Sequence, residues 1–179
     1  MNIGIIGRLG SGKTFAANYL VKKYGFHKVS LATPIKEIMA KYFKVYDKSD
    51  ARYRRLAQKI GTDWFRSEYP DVWIDYMIEE TSKYDELFVC DDVRFLNEAE
   101  RLLSSGWLLL YMDCPDQIRI ERCILRDKTF DPLTMNHPSE TEVEEILNKY
   151  QSKIINIDSS GSMENTHRQL DDIVQCRIT

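Results

Sequence analysis

The chain has 179 residues, of which 43% are hydrophobic and 30% charged, and its formal net charge at pH 7 is -3. This length suits a single domain with a sizeable core, and the lack of overall basic character argues against a dedicated nucleic-acid-binding protein. No apolar run approaches the ~18 residues of a membrane span, and no leader-like segment precedes the first strand, so we expect a cytoplasmic protein with no membrane partner. The four cysteines show no paired spacing and are expected to be free thiols.

The first predicted strand, Ile3 to Ile6, runs directly into the segment GRLGSGKT at residues 7–14. This segment fits the phosphate-loop pattern G-x-x-x-x-G-K-[ST] at every fixed position. Its glycines allow the backbone to curl so that successive N–H groups face phosphate oxygens. The pattern therefore predicts a nucleoside triphosphate site that includes Gly10, Ser11, Gly12, Lys13 and Thr14.

Within this loop, Lys13 is expected to reach the β- and γ-phosphates, and the Thr14 hydroxyl to be a ligand of Mg²⁺. The helix predicted from Phe15 to Tyr24 would point its N-terminus, and so the positive end of its dipole, at the phosphates.

The region after the first helix predicts a second strand, from His27 to Ala32, and a helix with Thr33 as N-cap and Pro34 at its first position. Residues 50–80 are helical in composition, with breaks at a glycine and a proline, and carry a run of basic residues that is typical of a solvated face. Two residues depart from this pattern: Arg66, which has the apolar neighbours Trp64 and Phe65, and Trp73, an aromatic residue just after Pro70-Asp71.

A third predicted strand, Leu87 to Cys90, ends in Asp91-Asp92-Val93-Arg94. Acidic residues at the carboxyl end of a strand in a phosphate-loop protein are typical of a Walker B segment, whose carboxylate holds Mg²⁺ directly or through water. Either Asp91 or Asp92 could face the metal.

The most apolar strand, Trp107 to Met112, is expected at the centre of the sheet or beside it. The helix that follows carries Arg122 and Arg126, which are i and i+4 neighbours and would repel unless an anion lies between them. Residues 127–136 are predicted to form a loop. A further helix and the strand Lys153 to Ile157 precede a C-terminal helix in which His167 is expected at the surface.

Five strands alternating with helices through short connections predict a three-layer α/β/α sandwich with a mainly parallel, five-stranded sheet. We expect one domain over residues 1–179, with a helical insert at about 33–80 and a short lid at about 127–140.

A phosphate loop alone fits a kinase, a GTPase switch or a mechanical ATPase. The remaining feature is a surplus of arginines at turns and on the lid-side helix, namely Arg66, Arg94, Arg122 and Arg126. Phosphoryl transfer between two phosphorylated molecules needs charge neutralisation, and arginine supplies fixed, bidentate donors for it. The residues therefore indicate a small-molecule kinase whose acceptor is itself anionic.

Four segments resemble the nucleoside monophosphate kinases and, among these, the deoxynucleoside monophosphate kinases typical of bacteriophages. They are the phosphate loop, GTDWFR at 61–66 with DVW at 71–73, DVRFLNE at 92–98, and HPSE at 137–140. The resemblance implies the P-loop kinase fold and transfer of the ATP γ-phosphoryl group to a deoxynucleoside 5'-monophosphate with Mg²⁺. A phage-encoded protein would act in the host cytoplasm.

The resemblance also implies roles for individual residues. Arg66 and Arg94 would hold the phosphate of the acceptor, and Asp92 would orient a metal-bound water or the substrate. Arg122 and Arg126 resemble the arginine pair at the base of the lid in adenylate-kinase-like enzymes. The segment 157–162, which includes Gly161, is similar to the turn that packs against adenine. Lys36, Trp73 and Tyr76 would line the acceptor pocket.

The catalytic set predicted in this way is Lys13, Arg94, Arg122 and Arg126. The helical insert would bind the acceptor. The base of the acceptor and the oligomeric state, monomer or homodimer, are left open.

Two alternatives are kept. A dephospho-coenzyme A kinase would share the fold and the LATP turn at 31–34, although its hydroxyl acceptor would call for a general base. A nucleotide-dependent module that binds nucleic acid through the basic residues 52–59 would instead show salt-dependent DNA binding and no acceptor-dependent turnover.

Overall fold

The computed structural model describes residues 1–47, 49–126 and 138–178. Its sheet has five strands in the order β2-β3-β1-β4-β5. The strands are β1 (Ile3–Ile6), β2 (His27–Val29), β3 (Phe88–Val93), β4 (Leu108–Asp113) and β5 (Ile154–Asp158). β1 pairs in parallel with both β3 and β4, and β4 pairs in parallel with β5. The predicted α/β class with a parallel five-stranded sheet is confirmed, and β4 lies beside the central strand.

The helices follow the strands in alternation over most of the chain. They are α1 (Lys13–Tyr24), α2 (Thr33–Phe43), α3 (Tyr53–Gln58), α4 (Phe65–Glu68), α5 (Val72–Ser82), α6 (Leu96–Ser104), α7 (Asp116–Arg126), α8 (Pro138–Tyr150) and α9 (Met163–Ile178). A π-helical stretch, Lys59–Trp64, joins α3 to α4, and a short 3₁₀ turn, Gln151–Lys153, precedes β5. No helix in the described parts of the chain is both long and apolar enough to cross a membrane.

Helices cover both faces of the sheet. Ile3 and Ile5 are fully buried in a core that includes Leu20 of α1 and Leu170 of α9. Gly4 points to the opposite face, where a Cβ would lie 2.9 Å from Leu102 Cδ1 of α6. Because neighbouring residues of a strand point to opposite faces, α1 and α9 cover one face and α6 the other.

The chain divides into two compact units, residues 1–28 with 86–179 and residues 29–85. The first contains the phosphate loop and β3 to α9. In the second, the Trp73 indole N–H donates to the Gly61 carbonyl at 2.8 Å, and Ile35 of α2 packs where a side chain on Gly61 would lie. The assignment of one domain with an insert at about 33–80 stays a prediction, and the predicted lid falls mainly on residues 127–137, outside the described residues.

Several element boundaries differ from those predicted. β2 ends at Val29 instead of Ala32, because the chain turns at Ser30, whose hydroxyl accepts the Ala32 N–H at 3.2 Å. Thr33 is the first residue of α2 and Ala32 is its N-cap, without a side-chain cap. α1 begins at Lys13, two residues earlier than predicted. β3 continues to Val93, so Asp91 and Asp92 lie within the strand.

Candidate active site

The phosphate loop connects the carboxyl end of β1 to α1 and is built around a tight turn. The Ser11 N–H donates to the Arg8 carbonyl at 3.2 Å. Gly10, the third residue of this turn, has a φ of +82° while Leu9 keeps a negative φ. These features define a type II turn, which requires a residue that tolerates positive φ at its third position. Gly10 is thus needed for the backbone geometry of the loop.

Lys13 lies at the first position of α1 and folds back over the loop. Its ammonium group donates to the Gly7 carbonyl and, at 2.9 Å, to the Arg8 carbonyl. Thr14 follows it, exposed, in the first turn of the helix. Both side chains therefore lie at the helix N-terminus, where the dipole favours an anion.

Arg119 of α7 contacts the backbone of the phosphate loop. The sequence did not include it in the predicted site. Its side chain is only 4% exposed. One guanidinium nitrogen, Nη1, donates to the Leu9 carbonyl at 2.9 Å, and Nη2 donates to Asp116 at 2.6 Å. This guanidinium holds the pKa of the Asp116 carboxyl below its usual range. Asp116 also lies 3.6 Å from Arg8, which forms an ion pair with Glu144 of α8.

The turn after β5 is tied to the same loop by Ser159. The buried Ser159 hydroxyl lies 2.9 Å from the Ser11 carbonyl and 2.8 Å from the Asp113 carbonyl. Arg122 donates from Nη2 to the Ser159 carbonyl at 2.8 Å and from Nη1 to the Cys114 sulfur at 3.4 Å. α7 therefore contacts both the phosphate loop, through Arg119, and the turn after β5, through Arg122.

A cavity of about 280 Å³ opens between these two segments, and most of its wall is apolar. Its lining includes Gly12, Phe15, Arg122, Gly161 and Thr166. An apolar cavity with a few polar groups beside a phosphate loop suits the base and ribose of a nucleotide. Arg122 and Gly161, both predicted from the sequence, are brought together with the loop here.

His167, expected at the surface, is half-buried and packs against α1. Its ring stacks between Tyr19 and Phe15 of α1, with centroid distances of 3.7 Å and 4.9 Å. Phe15 in turn lines the cavity. One turn along α9, Asp171 accepts hydrogen bonds from Tyr19 at 2.8 Å and from Tyr24 at 2.7 Å. The wall of the cavity that α1 provides is therefore held by contacts with α9.

The two aspartates of β3 have different surroundings. Asp91 forms an ion pair with Lys28 at 2.7 Å, and its side chain is only 10% exposed. Asp92 lies 3.0 Å from the sulfur of Cys90. Burial, together with the charge of Asp92, raises the pKa of the Cys90 thiol well above its usual value, so Cys90 stays neutral and donates to the carboxylate.

Arg94 follows β3 at the start of α6, with its side chain exposed. Its backbone N–H donates to the buried Glu98 carboxylate at 2.8 Å, as does the Phe95 N–H at 3.0 Å. The Leu96 N–H donates to Glu142 of α8 at 3.1 Å. Because carboxylates occupy these amides, Arg94 can offer an anion its guanidinium but not its backbone N–H.

The other predicted acceptor residues lie in the unit formed by residues 29–85. Lys36 is exposed on α2, Arg66 is half-buried on α4, and Tyr76 is exposed on α5. Trp73 is buried, and its ring packs against Phe65 with a centroid distance of 4.9 Å. Trp73 thus belongs to the packing of this unit, and its indole N–H is already donated to Gly61.

Arg126, the last of the predicted catalytic residues, is exposed at the last position of α7, directly before residues that the structure does not describe. Over residues 1–47, 49–126 and 138–178, no group of three or more His, Cys, Asp or Glu side chains is arranged to hold a metal ion by itself.

Comparisons with known proteins give a related sequence and a shared fold. No family model matches the chain. A curated protein of Acanthamoeba polyphaga mimivirus, named "Putative deoxynucleotide monophosphate kinase", is 30% identical over 178 residues, and the match covers 80% of this chain and 82% of the relative.

Two solved structures of shikimate kinases share the fold. The enzyme from Aquifex aeolicus superimposes with a TM-score of 0.63 at 17% identity, covering 99% of this chain and 98% of the other. The enzyme from Acinetobacter baumannii, in complex with shikimate, gives a TM-score of 0.58 at 18% identity, covering 99% and 92%.

Proposed function

Since the chain belongs to the nucleotide-kinase family represented by the mimiviral relative, we propose that it transfers the γ-phosphoryl group of ATP to a deoxynucleoside 5'-monophosphate. The products would be ADP and the deoxynucleoside diphosphate. The observation that carries the proposal is the phosphate loop itself, with Lys13 folded over a type II turn beside an apolar cavity of about 280 Å³. P-loop kinases as a family use ATP and Mg²⁺.

ATP as the donor is supported by the residues that surround the loop and the cavity. Gly10, Ser11, Gly12, Lys13 and Thr14 would bind the phosphates. The base would enter the apolar cavity near Gly161, and Arg122 at its rim would neutralise phosphate charge. The cavity volume of 280 Å³ is just below the range of ordinary ligand pockets, which suits the base and ribose, while the phosphates would lie outside the cavity on the loop.

Mg²⁺ would be held by Thr14 and Asp92 together with phosphate oxygens and water. Magnesium usually takes only one or two protein ligands in such sites, which these two residues would supply. Of the two aspartates, Asp91 is engaged by Lys28 and nearly buried. We therefore assign the metal-side role to Asp92, where the bound ion would neutralise charge on the transferring phosphoryl group.

The acceptor would be bound mainly through its phosphate. Arg94 and Arg66 are proposed to hold that phosphate, because guanidinium groups give bidentate hydrogen bonds and stay charged at any working pH. Arg126 would join Arg122 in neutralising the transferred group. Lys36 and Trp73 are carried over from the family resemblance, and the burial of Trp73 favours a role in shaping the acceptor site over direct contact.

The reaction can be tested by measuring ADP formation from ATP and Mg²⁺ with a panel of acceptors. The panel contains dAMP, dGMP, dCMP, dTMP, 5-hydroxymethyl-dCMP and AMP, which would accept the phosphoryl group on a phosphate. It also contains dephospho-coenzyme A and shikimate, which would accept it on a hydroxyl group. We expect turnover with one or more deoxynucleotides and only background hydrolysis with the last two.

Other outcomes would replace the proposal with a specific alternative. Turnover confined to dephospho-coenzyme A or shikimate would assign a kinase of hydroxyl groups. ATP binding without turnover of any acceptor, together with salt-dependent DNA binding, would favour the nucleotide-dependent nucleic-acid module.

A further inference from the structure

We infer that Arg119 is a positioning residue that fixes the Leu9–Gly10 peptide so that the Gly10 N–H faces the phosphates of the donor nucleotide. The inference rests on the proposed function, since it presupposes that ATP phosphates bind on this loop. It adds a residue of α7 that contacts the loop backbone and not the nucleotide.

The first step is the contact itself. Arg119 is a buried arginine whose Nη1 reaches a neutral backbone carbonyl, that of Leu9, at 2.9 Å. Burying a guanidinium is costly unless its donors are engaged, and Asp116 at 2.6 Å offsets that cost. The hydrogen bond from Arg119 to the Leu9 carbonyl is therefore charge-assisted and buried, and burial makes it stronger than the same bond on an open surface.

The second step is the geometry of the peptide. In a trans peptide the C=O and the following N–H point in opposite directions. With the Leu9 carbonyl directed at Arg119, the Gly10 N–H is directed away from α7. Type I and type II turns differ in the orientation of this central peptide, and the φ of +82° at Gly10 identifies the type II form. Arg119 thus selects one of two turn forms.

The third step is the consequence for an anion. If the central peptide turned over, the Leu9 carbonyl would take the place of the Gly10 N–H and present a partial negative charge to the phosphates. α7 also restricts the loop sterically, because a Cβ on Gly10 would lie 2.5 Å from the Arg119 carbonyl oxygen. The helix therefore fixes both the position and the orientation of this peptide.

Arg119 differs in this respect from the other arginines of the same helix. Arg122 contacts the Ser159 carbonyl and lines the cavity, and Arg126 is exposed at the end of α7. Only Arg119 is expected to affect phosphate binding through the loop, without touching the ligand.

The test compares Arg119→Met and Arg119→Lys with the wild-type protein and with Arg168→Met, an exposed arginine on α9. Competition against a fluorescent ATP analogue, without acceptor, gives the affinities of ATP, tripolyphosphate and adenosine. We expect Arg119→Met to weaken ATP and tripolyphosphate by about tenfold or more, as for loss of a charged hydrogen bond, and to leave adenosine unchanged. Arg119→Lys should recover part of the loss, and Arg168→Met should show none.

The kinetic readout should separate in the same way. The KM for ATP should rise in Arg119→Met while the KM for the acceptor stays at the wild-type value. Equal weakening of adenosine and tripolyphosphate would indicate a general structural role and overturn the inference, as would unchanged binding of all three ligands.

If Arg119→Met does not yield folded protein, Asp116→Asn provides the second variant, because it removes the exposed carboxylate that holds the Arg119 guanidinium. We expect it to weaken ATP and tripolyphosphate by about threefold, and an unchanged affinity would again overturn the inference. A wild-type protein that binds ATP but uses no deoxynucleotide would count against the proposed function alone. A wild-type protein that fails to bind ATP or tripolyphosphate would count against both.

Discussion

Lys13 is the residue whose role depends least on the identity of the acceptor. Its ammonium group already lies over the loop, on the carbonyls of Gly7 and Arg8, at the helix N-terminus where the loop would bind the phosphates. We predict that Lys13→Met lowers kcat by about 100-fold or more, because one donor to the developing charge is lost. Steady-state ADP production measures this effect.

Lys22→Met is the matched control, since Lys22 is exposed on the same helix. It should retain wild-type kcat within about twofold, as expected for a surface substitution. Activity of Lys13→Met equal to that of Lys22→Met would show that the loop does not take part in the reaction.

Arg94 tests the acceptor side. Its backbone N–H is committed to Glu98, so the side chain alone would meet the acceptor phosphate. We predict that Arg94→Ala raises the acceptor KM by about tenfold or more through loss of charge-assisted hydrogen bonds, while the ATP KM changes by less than about twofold. The measurement is the KM for the acceptor and the KM for ATP, with Arg168→Ala as the control variant measured in parallel. An equal rise in both would remove Arg94 from the acceptor site.

At the scale of elements, the phosphate loop could be predicted closely because its requirements are local. Positive φ, an anion-facing helix N-terminus and a lysine next to the last glycine are all encoded within residues 7–14. The supports of the loop could not be predicted in this way. Arg119 is 110 residues from Leu9, and Ser159 is 148 residues from Ser11, so neither contact has a local signature.

Similar reasoning explains what the sequence did not predict at β3 and α9. The sequence places Asp91 and Asp92 after the strand, since charged residues rarely continue a buried run, but the ion pair with Lys28 allows the strand to extend to Val93. His167 is predicted at the surface because a lone histidine carries no signal, whereas its stacking partners Phe15 and Tyr19 lie on a distant helix.

The role of α7 in shaping the loop gives a prediction that compares two glycines. Gly10 and Gly25 both have positive φ, +82° and +74°, so alanine is strained by about 1 kcal/mol at either position. Only at Gly10 would the new Cβ meet backbone, the Arg119 carbonyl oxygen at 2.5 Å, whereas the space at Gly25 is open. Gly10→Ala should therefore lose ATP binding, and Gly25→Ala should keep it.

Urea unfolding and ATP titration of the two variants separate the effects. Both should lower the free energy of unfolding, and Gly25→Ala serves as the control for strain alone. Wild-type ATP affinity in Gly10→Ala would mean that α7 does not constrain the loop.

At the scale of the whole molecule, a chain of net charge -3 is proposed to bind a polyanion. The net negative charge of the chain opposes anion binding only on average. Around the loop and the cavity, the cationic residues Lys13, Arg119 and Arg122 lie within one compact unit and make the local charge favourable. A bound cation would reduce the repulsion further, so the affinity for ATP should depend on Mg²⁺.

Ligand-induced stabilisation measures this dependence directly. ATP with Mg²⁺ at about 100 times its dissociation constant should stabilise the folded state by about 2.7 kcal/mol. For a chain of this size, that corresponds to a rise of about 5–10 °C in the unfolding temperature. EDTA should remove much of the rise, because the phosphates lose their cation. Lys13→Met should reduce the rise at the same nucleotide concentration, because the phosphates lose their lysine. A rise that persists undiminished in EDTA and in Lys13→Met would place ATP binding outside the phosphate loop.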